Sequence, residues 1–89
     1  MAPSVQDCRL AAWYRKYDFN RKQAEAWTEK AIDFDMRGYY ERSNDALKKA
    51  QSYNCVADGM LDALYALGFS ETHVDEARRH IAWYFGGSR

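Results

Sequence analysis

Residues 39–67 read YYERSNDALKKAQSYNCVADGMLDALYAL, and whether they form one helix or two decides the fold. Tyr40, Ser43, Leu47, Ala50, Asn54, Ala57, Leu61 and Leu64 fall at alternating steps of three and four. Residues spaced in this way share one helix face. A flanking row of Tyr39, Ala46, Tyr53, Met60 and Leu67 repeats every seven residues. The phase holds across Ser52-Tyr53-Asn54, where composition alone suggests a turn. The spacing therefore predicts a single helix over about 39–67, roughly 43 Å long at 1.5 Å per residue. Asn54 and Gly59 are its weak points, since either can cap, kink or break a helix.

The segments on either side read as shorter helices. Ser4 and Asp7 have the spacing of a capping box, and Leu10, Trp13 and Tyr17 follow on one face. These residues predict a helix over about 5–17. Asp18-Phe19-Asn20 reads as an interruption, with Asn20 and Gln23 as a second capping box. Ala24, Trp27, Ala31, Phe34 and Gly38 then form one apolar stripe, with Trp27 and Phe34 expected in the core, on a helix of about 21–37 closed by a glycine suited to the left-handed C′ position. Downstream, Gly68-Phe69-Ser70 ends the long helix. Val74, Ala77, Ile81 and Tyr84 carry a last one over about 71–85, and 86–89 are a short tail. No stretch alternates with period two long enough to make a strand. The expected fold is all-α: a small antiparallel four-helix bundle in a single domain over 1–89, with the 39–67 helix at its centre. Leu47 and Leu61 are its expected core, so an aspartate at either is expected to abolish cooperative unfolding.

Composition narrows the function classes. In 89 residues, hydrophobic side chains make up 47% and charged ones 29%, which suits a folded domain rather than a disordered tail. Thirteen Lys and Arg balance thirteen Asp and Glu, arguing against both a basic nucleic-acid coat and an acidic DNA mimic. The longest mostly apolar run, Ala63 to Phe69, falls far short of the roughly 20 residues a membrane helix needs. The first residues lack the charged start and apolar stretch of a secretory signal. Cys8 and Cys55 have neither metal-type nor redox spacing, and read as reduced core thiols. A cytoplasmic protein without a membrane partner is the expectation.

Two stretches carry local resemblances. AEAWTEKAIDFDMRGYYERSNDALKKA, residues 24–50, resembles a tetratricopeptide-repeat hairpin through Trp27, Ala31, Phe34, Gly38, Tyr40, Leu47 and Ala50. The stretch KAIDFDMRGYYE within it is also similar to the first hairpin of microtubule-interacting-and-trafficking domains. No second copy follows in register, whereas a solenoid needs about three, so the resemblance implies a hairpin rather than a function. DALYALGFSETHVDEAR, residues 62–78, resembles a helix-turn-helix through Ala63, Leu67, Gly68, Phe69, Ser70 and Val74. Its Gly-Phe turn is also similar to a ubiquitin-associated hairpin. The would-be recognition helix opens with Glu71, Asp75 and Glu76, which would repel phosphates.

No phosphate loop or Ser-His-Asp pattern is present, and neither cysteine has a paired base in view. His73, Glu76 and His80 share a face of the last helix, but three ligands on one helix seldom close a metal site. The expectation is a non-enzymatic protein with no metal and no cofactor. Arg15, Lys16, Arg21 and Lys22 cluster around the expected first turn and are candidates for an acidic-partner or phosphate contact. Fourteen aromatic rings are more than a thin bundle can bury. Tyr39, Tyr65, Trp83 and Phe85, with Arg79, are therefore the candidate partner-binding residues, being of the types that carry interface hot spots. The expected function is a small helical protein-interaction module. It would block or bridge a partner protein, or pair with itself, in the manner of phage or mobile-element inhibitors and adaptors. The alternative is a helix-turn-helix DNA-binding regulator using residues 62–80.

Overall fold

The computed structural model describes residues 5–84, and the side chains of Asp7 and of residues 80–84 lie outside that description. Three helices are present among the described residues: α1 (Val5–Met36), α2 (Tyr40–Ala66) and α3 (Glu71–Tyr84). No strand occurs among them. The all-α expectation holds, and the long helix runs unbroken through Asn54 and Gly59.

The four-helix expectation is corrected to three, because the segments expected at 5–17 and 21–37 are one helix. Asp18-Phe19-Asn20 holds neither proline nor glycine, and Asp or Asn inside a helix costs only a fraction of a kcal/mol. Tertiary contacts outweigh that preference. Phe19 packs edge-on against Tyr53 at 6.4 Å, and Arg21 donates to Asn54 Oδ1 and Asp58 Oδ1, both at 2.8 Å. The apolar stripe also keeps its phase here, from Tyr17 through Asn20 to Ala24. Residues 5–17, continuous with their successor, therefore do not form a separate bundle helix.

Both helix stops are local in origin. Gly38 (φ +83°) and Gly68 (φ +93°) take the left-handed conformation that side chains with a Cβ resist. Around each, the Schellman pair of hydrogen bonds closes the last turn: Tyr39 N–H to the Phe34 carbonyl at 2.8 Å with Gly38 N–H to the Asp35 carbonyl at 3.1 Å, and Phe69 N–H to the Leu64 carbonyl at 3.3 Å with Gly68 N–H to the Tyr65 carbonyl at 3.0 Å. Ser70 then caps α3. Its N–H donates to His73 Nδ1 at 3.0 Å, so a histidine fills the returning position of the capping box.

Contacts divide the chain into two compact units, residues 19–59 and residues 1–18 with 60–89. The first is an antiparallel hairpin of α1 and α2, in which pairings run outward from the turn: Phe34 with Tyr39, Ala31 with Ser43, Arg21 with Asn54. Its seam is built of small residues. Ala24 and Ala31 on α1 are buried, as are Ser43, Ala46, Ala50 and Ala57 on α2. Small side chains let helices approach closely. The contact is close enough here for Ser43 Oγ to donate to the Ala31 carbonyl across the seam at 2.8 Å. Replacing Ser43 with alanine removes this buried bond, and about 1 kcal/mol of stability should go with it in urea unfolding. An unchanged midpoint would mean the bond contributes nothing.

The close seam overturns part of the expected core. Leu47 is 41% exposed and Tyr40 65% exposed, because alanines rather than leucines occupy the contact and the bulky members of the stripe fall at its margins. Cys55, expected inside, is exposed, while Cys8 is half-buried; both thiols are free. In the second unit, Leu10 of α1, Leu64 of α2, and Val74 and Ala77 of α3 form a buried cluster. Trp13, Tyr14, Leu61 and Phe69 pack against it. No large side chain is fully buried among the described residues.

Candidate protein-interaction surface

The hairpin carries an aromatic face beside its seam. Trp27 and Phe34, seven residues apart on α1, lie on one side of the helix, as do Arg42 and Lys49 on α2. Trp27 and Phe34 are half-buried, and Tyr39 is 50% exposed. Phe34 meets Tyr39 edge-to-face, with ring centroids 6.5 Å apart and planes inclined at 68°. The Arg42 guanidinium stands 5.4 Å from the Tyr39 centroid. Lys30 and Lys49 each place Nζ 4.3 Å from the centroid of Trp27. Lys30, Arg42 and Lys49 make no ion pair among the described residues. Ring quadrupoles hold the three cations in place, an attraction of about 0.5–1 kcal/mol each at exposed sites.

The structure distributes the sequence-predicted residues unevenly. Tyr39 lies at the turn end of the hairpin face, between α1 and α2. Tyr65 belongs to the three-helix unit, where it is 42% exposed and lines a shallow groove with Tyr17, Leu61, Val74 and Arg78. Arg79 is exposed on α3. The Trp83 side chain and Phe85 lie outside the described residues. Arg15, Lys16, Arg21 and Lys22 sit along an uninterrupted helix rather than around a turn, which corrects that expectation. Arg21 is engaged with α2 through Asn54 and Asp58. Sequence reasoning missed Trp27, Lys30, Arg42 and Lys49 as surface residues. It assigned Trp27 and Phe34 to the core and gave the three cations no role, although the seven-residue spacing of each pair was visible.

Within the three-helix unit a second, apolar groove of about 510 Å³ is lined by Val5, Leu10, Trp13, Leu64, Leu67 and Phe69, with Gln6 and Arg9. Nearby, Trp13 and Tyr17 stack at 5.1 Å, and Arg78 Nε donates to the Tyr14 hydroxyl at 3.3 Å. That bond, with the Tyr14 oxygen and Asp75 close by, raises the Arg78 guanidinium above its usual range. His73, one of three residues weighed as a metal set, has Nδ1 against Ser70 and its ring edge-on to Phe69 at 5.0 Å. No group of three potential metal ligands occurs among the described residues, and no helix there is long and apolar enough to cross a membrane.

Comparison with protein-family models, with curated proteins and with solved structures finds no match. The surface therefore carries the functional reading by itself.

Proposed function

We propose that this chain is a non-enzymatic protein-interaction module that acts by occupying the surface of a partner protein, as an inhibitor or adaptor does. One observation carries the reading: Tyr39, half exposed, is braced on one side by Phe34 and capped by Arg42. Tyrosine, tryptophan and arginine dominate interface hot spots, and holding them in place before contact reduces the ordering entropy of binding. The α3 segment suits DNA less well, since exposed Glu71 and Asp75 open it and Asp75 pairs with Arg78 at 3.4 Å.

The test compares wild type with the Tyr39→Ala/Arg42→Ala double variant in quantitative affinity capture from lysate. Both side chains are exposed, so the variant should keep its helical circular dichroism. At least one protein should be retained by wild type and fall about tenfold or more with the variant, a hot-spot loss above about 1.4 kcal/mol. Identical captured sets, or a wild-type chain that retains nothing, would overturn the proposal.

A further inference from the structure

We infer that the hairpin face takes an acidic segment of its partner, with carboxylates seated between Lys30 and Lys49 over Trp27 and on Arg42 beside Tyr39. This rests on the interaction-module reading above and adds to it the chemistry of the partner. Two ammonium groups at 4.3 Å from one ring centroid stand no farther apart than twice that distance. Like charges so placed repel, and an anion close to both offsets the repulsion and is attracted by each. Arg42, one heptad from Lys49 on α2, extends the same positive strip. The only acid within one turn of both on that helix is Asp45, which is exposed and pairs with neither among the described residues. On α1, the acid one turn from Lys30 is Asp33, which pairs with Arg37 at 3.3 Å, so all three cations lack an ion-pair partner among the described residues.

Carboxylate is favoured over nucleic acid by the rings themselves. Single-stranded nucleic acid gains affinity by stacking bases on open aromatic faces. Here lysine ammoniums cover Trp27 and a guanidinium covers Tyr39, leaving charge rather than open π-surface to a partner. Phe34, half-buried and with no cation over it among the described residues, offers apolar contact beside them, so the matching segment alternates acidic with aliphatic or aromatic residues.

The probe is a fluorescein-labelled glutamate–leucine peptide, titrated by anisotropy beside the matching glutamine–leucine peptide and oligo-dT of equal length. The glutamate peptide should bind about tenfold or more tightly than the other two, and weaken severalfold as salt rises from about 0.05 to about 0.3 M. Adjacent lysines supply the control. Lys49→Glu should weaken the glutamate peptide at least about tenfold, whereas Lys48→Glu, with the same change of net charge on a different side of α2, should leave it within about twofold. Equal effects of the two substitutions, oligo-dT binding as tightly as the glutamate peptide, or no binding of the glutamate peptide would each overturn the inference. A captured partner unaffected by Lys49→Glu would overturn it too while leaving the module reading intact. Selective peptide binding by a chain that captures nothing would have the reverse meaning.

Discussion

Leu64→Ala should lower the free energy of unfolding by about 2–5 kcal/mol, the range for removing a buried leucine from a packed core. Leu64 is 4% exposed and sits among Leu10, Val74 and Ala77, with Trp13, Leu61 and Phe69 around it. The cluster draws on all three helices of its unit, so the vacated space has few neighbours able to collapse into it. A chain of this size has about 5–10 kcal/mol of stability in all, and the substitution therefore takes a large share. Urea unfolding followed by circular dichroism reads the loss as a fall in midpoint at constant slope. A midpoint like that of wild type would remove Leu64 from the core. Leu47→Ala is the informative contrast: the residue is 41% exposed, and its loss should stay below about 1 kcal/mol.

The opposite error in packing should be felt in the hairpin. Ala50→Leu is expected to destabilise by about 1–3 kcal/mol, although leucine is nearly as good a helix former as alanine. Ala50 is 3% exposed in a seam whose other members are Ala24, Ala31, Ser43, Ala46 and Ala57. A larger side chain must push α1 and α2 apart, breaking the bond from Ser43 Oγ to the Ala31 carbonyl and the contacts between neighbouring alanines. Gln51→Leu adds a leucine one residue along on an exposed position and should change stability by no more than about 0.5 kcal/mol. If the two variants unfold alike, the alanine seam does not set the spacing of the helices.

Tyr39 shows how much of the candidate site was legible beforehand. Its excess over what a thin bundle can bury was countable, and it is half exposed. The residues that give it a setting were not legible in the same way. Trp27 and Phe34 read as core, because a stripe of apolar residues announces a buried face without saying how much of it is covered. Lys30, Arg42 and Lys49 come together with the rings only because two helices meet at this register.

The same division runs through the fold. Local chemistry settled where helices stop: Gly38 and Gly68 adopt positive φ and close Schellman turns, and Ser70 opens α3, each through contacts within a few residues. Periodicity settled that 40–66 is one helix, since a three–four repeat that never slips is a property of the chain itself. The fusion of 5–36 was present in that repeat too, but Asp18 and Asn20 argued locally for a break, and only the pull of Tyr53, Asn54 and Asp58 on Phe19 and Arg21 outweighed them. Which members of a stripe are buried was decided by tertiary structure alone. Spacing along one helix fixes direction around its axis, whereas burial depends on how near the neighbouring helix comes. Here alanines set that distance, leaving Leu47 and Tyr40 outside and the aromatic rings at the margin.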